Sequence, residues 1–124
     1  MQTSETTKQI GNFGERIAVR YLRLHGYTVK ERNWRSGHME IDIIAANFKT
    51  LAFVEVKTRK YGTMTAPEEA LTEQKARAMR RAASAYMAQH RCMLEPRFSL
   101  IAIEVVGDRV EALRFVEDAL QYSW

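Results

Sequence analysis

Two short stretches hold the acids and the lysine on which a reaction could turn. They are Glu40-Ile41-Asp42-Ile43-Ile44-Ala45 and, after a short gap, Phe53-Val54-Glu55-Val56-Lys57. Charged and apolar residues alternate in both, which is the pattern of two β-strands. Side chains alternate faces along a strand, so Glu40 and Asp42 share a face, and so do Glu55 and Lys57. A turn at Phe48-Lys49, with Asn47 paired to Thr50, sets the antiparallel register. Counting back places Asp42 opposite Glu55 and Glu40 opposite Lys57.

Facing carboxylates repel. At about 4 Å and an effective dielectric near 20, the bare repulsion is on the order of 4 kcal/mol. At a wet surface the measured penalty is roughly 0.2–1 kcal/mol. A divalent cation turns that repulsion into coordination. Hard oxygen ligands without Cys or His nearby suit Mg²⁺ or Mn²⁺ rather than zinc. A hairpin with one solvated face shows the same alternation, and from the pattern alone both readings stand.

The elements that must position these groups fit into one domain spanning the 124 residues, with 1–7 expected to be a flexible tail. Hydrophobic residues make up 46% of the chain, enough for one core of two or three layers. Cys92 is the only cysteine, so no intrachain disulfide can form, and a reducing compartment fits. The first residues are polar, and no run approaches the ~20 apolar residues of a membrane span. The expected location is therefore the cytoplasm, with no membrane partner. The net charge of +4 is moderate, but its distribution is uneven. Arg16, Arg20, Arg23, Lys30, Arg32 and Arg35 crowd the first third, while Lys57, Arg59 and Lys60 follow the second acidic strand. Lys75, Arg77, Arg80 and Arg81 share one helical stretch. An acidic cluster thus lies within basic surroundings, a balance that favours a polyanion partner.

The first helix is expected from about Lys8 to His25, with Thr6 and Gln9 as a capping box and Gly26 as C-cap. Ile10, Phe13, Ile17, Tyr21 and Leu24 form its apolar face, with Arg16, Arg20 and Arg23 opposite. Gly11 and Gly14 suit close packing against another element. Glu15 falls close to Leu22 at the rim of the apolar arc, where it could reach either water or a cleft. Strands follow at about Tyr27–Trp34, His38–Ala46 and Leu51–Thr58. A second helix runs from about Pro67 to His90, with a capping box at Thr65 and Glu68 or a later start near Thr72. Leu71, Ala78, Ala82, Ala85 and Tyr86 make its narrow stripe, which includes Lys75. That lysine either lies along the core edge or reaches a phosphate. Strands at Arg97–Val106 and Arg109–Val116 are joined by Gly107-Asp108, and the tail from Glu117 forms a turn of helix. The first of them, apolar on both faces, suits a central position. The fold class is α/β, in the order α-β-β-β-α-β-β, with a mixed central sheet flanked by helices.

An acid on the first helix, Asp in one strand and Glu-x-Lys in the next resembles the layout of the PD-(D/E)xK superfamily of restriction endonuclease-like folds. More closely, the chain resembles the YraN family of small bacterial proteins, itself similar to Holliday junction resolvases. The matching stretches are Gly11-x-x-Gly14-Glu15, Arg32-Asn33-Trp34-Arg35, Glu40 to Ala45, and Phe53 to Arg59, extending through Lys75 and Arg97-Phe98. Two positions depart from the family pattern: Met39 stands where Gly is usual, and Ser99 where an acid often follows Arg-Phe. The resemblance implies Asp42, Glu55 and Lys57 as catalytic residues. It makes Asp42, Glu55 and the Val56 carbonyl ligands of Mg²⁺ or Mn²⁺. Glu15 would complete the set directly or through water, and Glu40 could add to it. Lys57 would orient the attacking water or stabilise the developing charge. Arg16, Arg35, Arg59, Lys60, Lys75 and Arg77 would grip the backbone of branched or structured DNA.

No Walker-type phosphate loop is present, His25, His38 and His90 are too dispersed for zinc, and no Ser/His/Asp set can be drawn. Three readings compete: a magnesium-dependent nuclease, working as a two-fold dimer if it cuts junctions symmetrically; a binding module of the same fold; and an interaction protein with a solvated hairpin. Trp34, between Arg32 and Arg35, could stack on a base. Packing against the sheet edge is the expected role, since tryptophan is usually buried.

Overall fold

Asn47 closes the turn on which the strand register depends. Its Oδ1 accepts from the Lys49 and Thr50 amides at 3.0 and 2.7 Å, and its own N–H donates to the Thr50 carbonyl at 3.0 Å. That local turn is part of a computed structural model describing residues 7–62 and 72–119. The elements are α1 (Thr7–Leu24), β1 (Thr28–Ser36), β2 (Met39–Ala46), β3 (Thr50–Lys60), α2 (Glu73–His90), β4 (Glu95–Val106) and β5 (Arg109–Val116). They form the expected α/β order. The five strands lie in sequence order in one sheet, antiparallel except for the β3–β4 pair, which α2 connects as a crossover. β4 is an inner strand, as its unbroken apolar run requires.

The two helices cover opposite faces. α1 places Ala18, Val19 and Leu22 against Ile43, Ala45, Ala52, Val54, Ile101 and Ile103. α2 places Ala82, Ala83 and Tyr86 against Ile41, Ile44, Leu51 and Phe53, and Ala76 and Met79 against Leu100. Trp34 packs in this second layer, edge-on to Tyr86 with ring centroids 5.1 Å apart. Its expected structural role is the one observed.

Ile10, Phe13, Ile17 and Tyr21 of the expected α1 face pack against the core, but in both helices the most deeply buried row is rotated from the expected one. In α1 the deepest residues are Ala18 and Leu22, both fully buried, while Leu24 is 77% exposed and leaves the expected stripe. Gly14 is the cause. A Cβ there would lie 1.8 Å from Thr58 Oγ1 and 2.9 Å from Thr58 Cβ, so only glycine lets the helix descend onto β3. Gly14, Ala18 and Leu22 therefore form the contact row at i, i+4 spacing. Gly11 meets nothing within 4 Å, so the close-packing role expected of both glycines belongs to Gly14. In α2 the buried row is Ala76, Met79, Ala82, Ala83 and Tyr86, and the expected Ala85 is exposed.

Helix ends are built locally. Thr72 caps α2, its side chain accepting from the Lys75 amide, which is the later of the two starts considered. Gly26 takes the left-handed conformation (φ 90°) after α1. Each helix also finishes on a Tyr–His pair four residues apart. His25 stacks on Tyr21 and His90 on Tyr86, each at 4.0 Å, with Nδ1 donating to the tyrosine carbonyl. α1 starts one residue inside the segment expected as a tail. β4 begins at Glu95 and so includes Pro96. Thr6, Thr65, Pro67, Glu68, Leu71 and the end of the C-terminal tail lie outside the described residues. No helix among the described residues is long and apolar enough to cross a membrane.

Candidate functional site

The candidate site begins where two strands stop pairing. The β2–β3 ladder runs from Ala46↔Leu51 to Ile43↔Val54 and ends there. Continued in the same register, it would set Asp42 opposite Glu55, as the hairpin count requires, and Val56 opposite Ile41. Instead Asp42 Oδ2 accepts the Val56 N–H at 2.8 Å. A side-chain carboxylate has replaced the main-chain partner, and the strands fork. Strand alternation breaks at the same point. Ile43 packs toward α1, while Ile41, two residues earlier, packs toward α2 with Ile44. A residue's N–H and C=O lie on the same edge of a strand, so the Val56 carbonyl opens into the fork as well.

Glu55 enters from β3 on the α2 side, its side chain only 7% exposed. Lys75, from the first turn of α2, forms an ion pair and hydrogen bond with Glu55 Oε2. Lys57 Nζ lies 3.7 Å from the same oxygen. The two readings of Lys75 thus meet a third outcome, a direct partnership with an acid of the strand motif. Such a buried carboxylate needs cationic partners, and it has two. Arg59 shares this face by alternation, is half-buried, and keeps a buried Nε with no hydrogen-bond partner among the described residues.

Asp42 senses both faces of the sheet. Burial and the neighbouring Glu55 push its carboxyl up to about 7. The Val56 amide opposes this, Glu15 from α1 adds to it, and Lys75 from α2 opposes it. Glu15 is half-buried beside the Gly14 contact, so the glycine that seats α1 also brings this acid toward the fork. Four elements thereby converge: α1 with Glu15, β2 with Asp42, β3 with Glu55, Val56 and Lys57, and α2 with Lys75.

Other residues from the sequence reading lie elsewhere. Glu40 pairs with Arg35 at 3.5 Å, across the β1–β2 ladder, rather than with Lys57. Arg77 forms an exposed pair with Glu73 at 2.8 Å, and two helical positions separate it from Lys75, about 200° around the helix. Arg16 lies on the outer side of α1 and Lys60 is exposed at the end of β3. Ser99 is buried, and its hydroxyl donates to the Glu117 carbonyl at 2.8 Å. Where the resembling family often has an acid, this chain fastens the segment after β5. Met39 fills part of the α2-side core.

Among the described residues, no three His, Cys, Asp or Glu side chains are grouped so as to hold a metal ion alone. Glu15 acts on Asp42 by its charge, which helps to push the Asp42 carboxyl up. Mg²⁺ commonly uses only one or two carboxylates, keeping water and substrate oxygens for its other positions. Asp42, Glu55 and the Val56 carbonyl fit that demand: all are hard oxygens, and burial leaves Asp42 short of positive charge. Sequence reasoning missed the Val56–Asp42 bond and the Lys75–Glu55 pair. The first had no signal, since alternating acids such as Glu40 and Asp42 also mark a strand whose ladder continues. The second had none beyond a lysine in a helical stripe.

Comparison with known proteins agrees with this frame. Residues 14–103 match the model of the uncharacterised protein family UPF0102, a span running from the Gly14 contact into β4. A UPF0102 protein of Bacteroides thetaiotaomicron is 44% identical over 95 residues, covering 77% of this chain and 78% of its own. One from Syntrophotalea carbinolica is 42% identical over 107 residues, covering 86% and 87%. One from Beutenbergia cavernae is 41% identical over 111 residues, covering 86% and 94%. On this match the chain belongs to the UPF0102 family, the YraN family whose motifs its strands carry.

Proposed function

We propose that the protein is a metal-dependent endonuclease that hydrolyses phosphodiester bonds in branched or otherwise structured DNA. The fork at Asp42 carries the proposal. There Asp42 accepts the Val56 N–H from the neighbouring strand, and Glu55, next to Val56, holds Lys57 and Lys75. A merely solvated hairpin face has no reason to bury Glu55 or to break its ladder at an acid.

Asp42, Glu55 and the Val56 carbonyl would hold Mg²⁺ or Mn²⁺. When bound, the ion would polarise a phosphoryl oxygen and lower the pKa of water. The chain's own residues do the rest. Glu55 holds the Lys57 ammonium where it can donate to a water or a phosphoryl oxygen, and Lys75 restrains Glu55 from the opposite side. Arg59 and Lys60 continue the β3 edge with charges suited to the flanking backbone, and Arg16, Arg35 and Arg77 extend the basic surroundings. Symmetric cutting of a four-way junction needs two such sites, so a two-fold dimer is part of the proposal.

A binding module of the same fold is the second reading. Glu55 already has two lysine partners, and Ser99 supplies no further acid, both of which suit a site that grips without cutting. A cleavage screen separates the two. Junction, flap, nicked and single-stranded DNA are incubated with protein and millimolar Mg²⁺ or Mn²⁺, with Lys57→Ala as control. Cleavage by the native protein and none by the variant supports the nuclease. Binding without cleavage of any substrate supports the module.

A further inference from the structure

α1 and the edge strand β1 enclose a groove of about 410 Å³, lined by Arg16, Val19, Arg20, Arg23, Leu24 and Arg32. Four of these six residues are arginines. None of the four forms an ion pair with another described residue. Arg16 lies over the Phe13 ring, its guanidinium carbon 5.9 Å from the centroid. Like charges at i, i+3 and i, i+4 destabilise a helix, so three arginines in one row need a reason. Solvated helix faces usually mix signs, with acids three or four residues from the bases they pair with. The only acid in α1 is Glu15, turned toward the fork. Protection of an exposed strand edge explains Arg32 alone, not the three helical arginines that converge on it.

We propose that this groove binds the phosphate backbone of a second nucleic-acid arm, distinct from the strand held at the fork. Arg16 to Arg23 spans about 10 Å along the helix, the length of about three nucleotide steps at roughly 3.4 Å of axial rise. Val19 and the exposed Leu24 give the groove an apolar wall that sugar edges can cover. Arg16 directly follows Glu15, so the groove leads along α1 to the acid cluster. Its strand side is β1, whose neighbour β2 carries Asp42. A partner with two arms meeting near the fork engages both places, whereas a linear duplex engages one. The inference deepens the nuclease reading by making branched nucleic acid the partner class, but it requires binding only, not cleavage.

The test measures binding of a labelled four-way junction and a linear duplex by anisotropy, in chelator, across a salt series. Native protein, the double variant Arg20→Gln/Arg32→Gln and the control Arg109→Gln are compared, with melting curves as fold controls. The native chain should bind the junction more tightly than the duplex. The double variant should lose that preference, weaken junction binding about tenfold or more, and reduce the log–log salt slope by about two, one per guanidinium. Arg109→Gln, which removes an exposed guanidinium paired with Glu111 on β5, should keep the preference. Equal salt slopes for native and double variant would overturn the inference. So would a double variant that binds DNA normally but no longer associates with phosphatidylglycerol vesicles, which would assign the groove to an anionic lipid surface. Loss of cleavage in a separate assay, with groove-dependent binding intact, would defeat the nuclease reading and leave this one standing.

Discussion

Asp42 Oδ2 accepts the Val56 N–H at 2.8 Å, taking the place of a main-chain bond between two strands that part at that residue. The side chain therefore has two duties that substitution can separate. Asn keeps an acceptor for the amide and removes the buried charge, whereas Ala removes both. Asp42→Asn should raise stability at about pH 8 by ~1–3 kcal/mol, read as several degrees in Tm. Asp42→Ala should gain less or lose stability, because the Val56 N–H is left unsatisfied at about 1–3 kcal/mol. A lower Tm for Asp42→Asn than for the native protein at that pH would show that the carboxylate is not under electrostatic stress.

The same carboxyl predicts a pH dependence. Its folded-state value of about 7 lies above the ordinary 3.8, so the folded chain binds this proton more tightly than the unfolded chain. Its contribution to stability is complete below about pH 4 and is lost as pH rises through about 7. Other carboxylates can move the opposite way, so the difference between native and Asp42→Asn melting curves isolates it. That difference should be small at low pH and grow toward pH 8 in metal-free buffer. A difference independent of pH would contradict the assignment.

Gly14 is the seat of α1. Alanine gains about 1 kcal/mol of helix propensity, yet its Cβ must displace Thr58 or lift the helix. Gly14→Ala should lower stability by about 1–3 kcal/mol, the usual range for overpacking. Thr58→Ala on that background should restore part of the loss by removing Oγ1 and Cγ2, while the 2.9 Å contact with Thr58 Cβ persists. Denaturant midpoints of the single and double variants check this. An unchanged midpoint for Gly14→Ala would mean that α1 does not rest on β3 here.

Lys75 holds a nearly buried acid. Lys75→Met removes one of the two cations on Glu55 and should cost about 1–3 kcal/mol, less than a fully buried pair because Lys75 is itself 30% exposed. Urea midpoints report the loss. A neutral substitution would mean that Lys57 alone balances Glu55.

Much of this architecture was legible because it is local. Asn47 and Thr50 determine a turn through their own hydrogen bonds, and the turn determines the register from Ala46↔Leu51 to Ile43↔Val54, one pair short of Asp42 and Glu55. Unbroken apolar residues marked β4 as an inner strand. The rotation of α1 was not legible, because Leu24 and Ala18 are both apolar and only the approach of Thr58 to Gly14 chooses between them. The fork was hidden for a similar reason: strand periodicity assumes that a ladder continues, and nothing in Ile41-Asp42-Ile43 announces a carboxylate replacing a carbonyl. The arginine groove needs β1 and α1 side by side, since Arg32 lies on the next element and only the packing of that strand brings it to the helical row.

Metal binding at the fork can be measured without cleavage. Isothermal titration of Mg²⁺ or Mn²⁺ into native protein at about pH 8 should give saturable binding at millimolar levels or tighter. It should be abolished in Asp42→Asn and retained in Lys57→Ala, with metal raising the Tm of the native protein and not that of Asp42→Asn. No saturable binding, or equal binding by Asp42→Asn, would contradict a metal centre at Asp42 and Glu55.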